Sequence, residues 1–274
     1  MVRALTGGLH WAGRQLRRLQ HHLRYGPDPP GLTLLPWDIP AELDHALRAV
    51  QAHTLIDPLR LAMLGGLAHE VVGQIEGDLV ECGVYNGGSA AILGAALRGH
   101  PHRKLWLYDT FAGLPAPGAK DGPLAAAYAG ALPGSIEAVR RVVTNVALPL
   151  EQIIFRPGLF QDTFREPLPE PVALLHVDAD WYESILVCLR TFYPLMPDGG
   201  IIILDDFGHW EGTREAFYDF CVEFGVKPLI ERVGYTQAFW RKGQSHNRSS
   251  RDQYRRGVYR PRFDGDEERK ANPE

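Results

Sequence analysis

Asp178 and Asp180 stand two residues apart where an apolar run ends, in the stretch Leu174 to Ser184, LLHVDADWYES. A second acidic pair, Asp205 and Asp206, closes the later run IIILDD. Carboxylates gathered at neighbouring strand ends repel one another, and a divalent cation relieves that repulsion. Hard oxygen ligands that leave room for water or substrate suit magnesium first and manganese second, rather than zinc. On this reading Asp178, Asp205 and Asp206 are metal ligands and Asp180 stays free to accept a proton, with His209 as the rival base. A competing reading makes Asp180 the N-cap of the next helix, with Glu183 completing a D-x-x-E capping box. His176 lies inside the apolar run and reads as a core histidine.

A second stretch, VECGVYNGGSAAIL, follows an apolar run and opens a helical pattern. Its glycines permit a tight turn and close approach of a ligand to the backbone. The order Glu81, Gly83, Gly87, Gly88 is not the dinucleotide pattern G-x-G-x-x-G. An acid ahead of the first glycine repels a pyrophosphate but can accept hydrogen bonds from an ammonium group. S-adenosylmethionine has such an ammonium and no phosphate, so it suits this turn better than NAD. Asp109, ending LWLYDTF, stands where an acid can accept both hydroxyls of a ribose. The plainer alternative makes Glu81 and Asp109 strand-end caps and gives the glycines to helix packing.

These residues need elements to hold them. From residue 78 short apolar runs alternate with helical patterns: DLVEC, KLWLYD, QIIFR, VALLHVD and IIILDD, with helices between. That alternation predicts a doubly wound α/β fold with a mostly parallel sheet. PLIERVGYTQAFWRK adds two strands joined at Gly234, a C-terminal hairpin that leaves one strand antiparallel and brings the sheet to seven. Upstream, TLIDPLRLAMLGGLAHEV predicts a helix with Thr54 or Asp57 as N-cap and Pro58 in its first turn. A shorter helix is expected around Ala41 to Ala52, after a connector containing Pro27, Pro29 and Pro30. The expected organisation is an N-terminal helical cap segment over 1–53, a main domain over 54–242, and a polar, Arg-rich, mostly disordered tail over 243–274.

A chain of 274 residues with 45% hydrophobic content can fill one large core. Its net charge of -4 gives no general attraction to nucleic acid or an anionic membrane. Cys82, Cys188 and Cys221 lack the spacings of a disulfide framework or zinc site, which fits a reducing, cytoplasmic setting. No apolar run approaches the roughly 20 residues of a membrane span. Residues 1–25 carry Arg3, Arg14, Arg17, Arg18 and Arg24 with leucines at near-helical spacing. Three readings stand for them: a helix packing on the domain or a second subunit, a membrane-surface or partner contact, or a targeting peptide.

Together, VECGVYNGGS, LYDTFAGLP, RPGLFQDTF, LLHVDADWYES and GGIIILDDF resemble the macrocin O-methyltransferase family in matching order over Thr54 to Trp240. These are class I enzymes with a Rossmann-like fold that methylate sugar hydroxyls of natural products, using S-adenosylmethionine and magnesium. The resemblance implies magnesium at Asp178, Asp205 and Asp206, and a general base at Asp180. It implies donor contacts at Thr54, Glu81, Gly83, Tyr85, Gly87, Gly88, Ser89, Asp109 and Asp162. It also implies an N-terminal segment over the site and a homodimer. Ala179, Trp181, Tyr85 and Asn86 depart from the family's usual Gly, Leu, Trp and Arg; of these Trp181 and Tyr85 bear on the acceptor's shape and not on the metal site. The loop AGLPAPGAKDGPLAAAYAGALPG reads as a mobile lid. The expected activity is methyl transfer to a sugar or glycosylated small molecule; a catechol or phenol acceptor, or a noncatalytic donor-binding protein of the same fold, are the alternatives.

Overall fold

The structure, a computed structural model, describes residues 41–245, all within one compact unit. The Arg-rich segment, the proline connector and the tail beyond residue 245 lie outside the described residues, and so do the expectations attached to them. No helix among the described residues is long and apolar enough to cross a membrane.

Seven strands form one sheet: β1 Asp78–Cys82, β2 Leu105–Asp109, β3 Ile153–Pro157, β4 Val172–Val177, β5 Ile201–Leu204, β6 Glu231–Val233 and β7 Gln237–Arg241. Their order is β3-β2-β1-β4-β5-β7-β6, a doubly wound sheet of the class that the sequence's alternation predicts. The first five pair in parallel, whereas β7 runs antiparallel to both β5 and β6. The hairpin turns at Gly234, whose φ of 58° lies in the left-handed region that glycine enters without steric cost.

The helices are α1 Ala41–Val50, α2 Pro58–Gln74, α3 Gly88–Ala96, α4 Ile136–Asn145, the short α5 Phe160–Thr163, α6 Tyr182–Phe192 and α7 Glu211–Phe224. Strand β4 is buried along its whole length because helices cover both faces. On one face Val80, Cys82, Leu175 and Val177 pack with Ile185, Leu189 and Phe192 of α6 and with Phe217 and Phe220 of α7. Asp57 caps α2 by accepting from the Leu59 and Arg60 amides, with Pro58 at the first helical position. Thr54, the other candidate cap, instead accepts from Ile56 N. Helix α1 falls within the predicted cap segment but is integral to the packing: Leu43, Ala46 and Val50 are buried, and Leu43 rests where a side chain on Gly65 would be.

Candidate active site

The sheet reverses its direction of winding between β1 and β4, and open α/β sheets take ligands beyond the strand ends at such a point. The two strand ends are bound together there. Asp178 N donates to Cys82 O, Gly83 N donates to Tyr108 O, and Gly83 passes so close to Asp178 O that no side chain could occupy its place. A cavity of about 770 Å³ opens at this point. Its walls bring together Thr54, Gly83, Tyr85, Gly88, Ser89 and Asp109 with Asp178, Asp180, Asp205 and Asp206. Thr54 reaches the glycine turn because Gly88 is bare: a Cβ there would lie 2.5 Å from Thr54 Cβ.

Three of the predicted donor contacts lie elsewhere. Glu81 does not line the cavity; it is 0% exposed, and its Oε1 is 2.9 Å from His176 Nδ1 on the neighbouring strand. Strand alternation turns Glu81 into the covered face of the sheet, where the parallel register sets it against His176. His176 is the core histidine the sequence predicts. Gly87 serves geometry, with φ 84° at the N-cap of α3 and its Cα side against Val139 of α4. Asp162 is exposed on α5, and the residues just before it, Leu159, Phe160 and Gln161, form the wall instead.

Asp109 does line the cavity, and it also braces the glycine turn. Its Oδ2 accepts from Val84 N at 2.6 Å and Tyr85 N at 2.9 Å, and its Oδ1 from Phe111 N at 2.7 Å. Each carboxylate oxygen has two lone pairs, so Oδ1 retains one for a ligand hydroxyl. Asp109→Asn places an NH2 group against amide donors; the expected result is at least a tenfold loss of S-adenosylhomocysteine affinity by calorimetry, about 1.4 kcal/mol.

One oxygen each of Asp178, Asp205 and Asp206 lies within 4.8 Å of the other two. Burial first, and then the charges of Asp205, Asp206 and Asp180, push the Asp178 carboxyl well above the usual range. Burial first, then the charges of Asp180 and Asp205 and a hydrogen bond with Asp180, do the same to Asp206. Clustered hard oxygens whose ionised forms are this costly match a divalent cation. Asp205 is the most constrained: Oδ2 accepts from Arg60 Nη1 and Oδ1 from Gln237 Nε2 at 2.9 Å. Second lone pairs remain on both oxygens, so these bonds orient a ligand without excluding it. Arg60 was not legible in the sequence as a site residue. It is buried on α2, also bound to Asp57, and held more firmly protonated than usual because Asp205 and Asp57 outweigh its burial.

Asp180 is not a helix cap. The N-cap of α6 is Trp181, which supplies no side-chain acceptor, and Glu183 lines the cavity. Asp180 has φ 59°, a left-handed conformation that costs about 1 kcal/mol or more and persists only when neighbours hold it. Trp210 Nε1 donates to Asp180 Oδ1 at 2.7 Å, and Thr213 Oγ1 donates to the Asp180 carbonyl at 2.8 Å. Burial raises the Asp180 pKa, while its hydrogen bonds with Asp206 and Trp210 draw it partly back. His209 also lines the cavity, exposed, with its ring edge-on to Trp210.

The predicted lid is docked here against the site. Ala125 is buried with Trp181 and Trp210, Leu114 packs against them, and Trp181 Nε1 donates to Pro115 O at 2.8 Å. Lys120 pairs with Glu215 and Asp219 of α7. The loop's alanine-rich composition concealed these few polar anchors.

Comparison with known proteins joins this geometry to a family. The sequence profile of macrocin-O-methyltransferase (TylF) matches residues 43–242. The chain is 32% identical over 206 residues, 72% of its length and 78% of the relative's, to 8-demethyl-8-(2,3-dimethoxy-alpha-L-rhamnosyl)-tetracenomycin-C 4'-O-methyltransferase of Streptomyces olivaceus. It is 32% identical over 205 residues, 70% of its length and 76% of the relative's, to demethyldecarbamoylnovobiocin O-methyltransferase of Streptomyces niveus. The solved structure of the O-methyltransferase NovP superposes with a TM-score of 0.65 at 32% identity, covering 69% of this chain and 82% of that one. A matched stretch that takes in most of α1, the whole sheet and every acid at the strand ends makes this chain a member of the macrocin-O-methyltransferase family.

Proposed function

We propose that this protein transfers the methyl group of S-adenosylmethionine to a sugar hydroxyl of a glycosylated small molecule, in a magnesium-dependent reaction. The observation that carries the reading is the convergence of Asp178, Asp180, Asp205 and Asp206 on one cavity that also reaches the Gly83 to Ser89 turn. The acceptor class is supported by the relative from Streptomyces olivaceus, whose name places its methyl transfer on a rhamnosyl-bearing compound.

The turn at Gly83, Tyr85, Gly88 and Ser89, with Thr54, cradles the donor, and Asp109 takes a ribose hydroxyl on its remaining lone pair. Asp178, Asp205 and Asp206 would hold magnesium, which when bound supplies Lewis-acid charge beside the acceptor hydroxyl. Asp180 accepts the hydroxyl proton. The acceptor oxygen then forms a bond to the methyl carbon as the carbon–sulfur bond breaks, and its electron pair goes to sulfur, leaving neutral S-adenosylhomocysteine. Alignment of oxygen, methyl and sulfur by the two halves of the cavity provides much of the acceleration.

The test uses S-adenosylmethionine labelled in its methyl group, with demethyldecarbamoylnovobiocin, after the relative from Streptomyces niveus, other glycosides and a set of catechols as acceptors. The expected result is label on a glycoside, lost in EDTA and restored by magnesium. Label on catechols alone would overturn the acceptor reading, and transfer undiminished by EDTA would overturn the metal reading.

A further inference from the structure

The turn that presents Asp180 is continuous with the start of α6, and that start lacks a cap of its own. The first N–H groups of a helix need acceptors from elsewhere. Asp121, from the loop after β2, supplies one: its Oδ1 accepts from Tyr182 N at 2.6 Å while its Oδ2 accepts from Gly118 N at 2.6 Å. The residue is only 3% exposed. Its place is shaped by Gly212 at the start of α7, where a Cβ would overlap Asp121 Oδ1. Neighbouring contacts converge on the same spot. The Lys120 ammonium lies 3.9 Å from the Tyr182 ring centroid, and Tyr182 OH donates to Asp219 Oδ2 at 2.8 Å.

We propose that Asp121 is a positioning residue for methyl transfer: by capping α6 at Tyr182 it fixes the turn that holds Asp180, and so ties the seating of residues 111–134 to the placement of the base. The inference rests on the reading of Asp180 as base. The physical case is that Asp180 occupies a backbone conformation its own residue type does not favour, so its position is set by what grips the turn. Thr213 grips the carbonyl and Trp210 the carboxylate, both from α7 and the residue before it. Asp121 grips the next amide but one, from the loop. A carboxylate at a helix N-terminus also meets the positive end of the helix dipole, which makes this anchor stronger than a neutral cap. Since the loop forms part of the cavity wall through Leu114, Pro115 and Tyr128, its seating and the alignment of Asp180 become one event.

The test compares Asp121→Ala and Asp121→Asn in the full chain, with labelled S-adenosylmethionine, magnesium and the glycoside that accepts label in the panel above. Asp121→Ala is expected to lower kcat by about 10- to 100-fold, with S-adenosylhomocysteine and magnesium affinities unchanged within error. Asp121→Asn, whose amide oxygen can still cap Tyr182, should recover much of that loss. In the same variants without acceptor, amide exchange at Tyr182 should accelerate and tryptophan emission should shift to the red as the loop leaves Trp181 and Trp210. A lowered melting temperature with unchanged kcat overturns the proposal, as does a loss shared equally by kcat and donor affinity. Should Asp121→Ala fail to fold, Asp121→Ser takes its place, because one shorter hydroxyl cannot serve both Tyr182 N and Gly118 N as the two carboxylate oxygens do: kcat and Tyr182 exchange equal to the parent's overturn the proposal. Asp180→Asn is the separating control. If it keeps turnover, the base reading fails whatever Asp121 does; if it is inactive while Asp121→Ala is unimpaired, only the positioning role fails.

Discussion

Asp180→Asn is expected to reduce methyl transfer by about a thousandfold while leaving S-adenosylhomocysteine affinity unchanged. The size follows from removing a general base, whose contribution typically lies in the range of about 10²- to 10⁴-fold. The substitution is informative because it disturbs little else. Asn tolerates the left-handed backbone region nearly as well as Asp does, so φ 59° is retained. Its amide oxygen can still accept from Trp210 Nε1, and the bond from Thr213 goes to the main-chain carbonyl, which the change does not touch. What is lost is the capacity to take a proton. Asp180→Ala would confound chemistry with backbone strain, because alanine does not share that tolerance. Single-turnover transfer from labelled donor, paired with calorimetry of S-adenosylhomocysteine, measures the two quantities. A residual rate above about a tenth of the parent's would move the base role to His209 or to water.

Gly83→Ala is expected to damage the protein more broadly. Gly83 has φ 89°, and an added Cβ would overlap the Asp178 carbonyl oxygen and lie 2.7 Å from Asp178 C. Both obstacles are backbone atoms, which cannot swing aside as the end of a flexible side chain can. Overpacking of this kind together with an unfavourable φ should cost about 3 kcal/mol or more. For a domain of this size that corresponds to a fall in Tm of roughly 10 °C. Donor affinity should fall with it, since relief of the clash separates the glycine turn from the strand end that carries Asp178. Gly73→Ala is the control. Gly73 lies exposed in α2 with nothing within 4 Å of its would-be Cβ, and replacement there should be neutral or stabilising by up to about 1 kcal/mol. Thermal unfolding of both variants measures the contrast, and a Gly83→Ala protein as stable as the Gly73→Ala one would refute the argument.

The architecture was legible because alternating apolar runs and helical patterns are local properties of the chain, and every predicted strand appears close to its expected place. The acids at the cavity were legible for a related reason: each terminates a strand, and the strand-end rule turns a position in sequence into a position in space. What the sequence does not carry is the identity of the element opposite. Glu81 looked like a ligand contact because it precedes the glycine turn, but the register of β1 on β4 sets it against His176. Asp162 lies in the right segment, yet a helix of four residues was enough to turn it to solvent and present Gln161 in its place. Arg60 and Asp121 were invisible as site residues because their partners are remote in sequence, Asp205 for the first and Tyr182 for the second. The loop from Phe111 to Gly134 shows the same limit. Its composition gave no sign of its seating, which rests on one carboxylate, one indole contact and one ammonium.

The hairpin of β6 and β7 has a duty beyond closing the sheet. Thr236 Oγ1 bonds the Asp205 carbonyl at 2.6 Å and accepts from Arg60, and Gln237 holds the Asp205 carboxylate. A truncated chain ending before Thr236 would retain all five parallel strands and every acid, yet leave Asp205 without two of its three supports. The last strand among the described residues is therefore a keystone: ribosomal synthesis must pass residue 237 before the cavity can acquire its finished form.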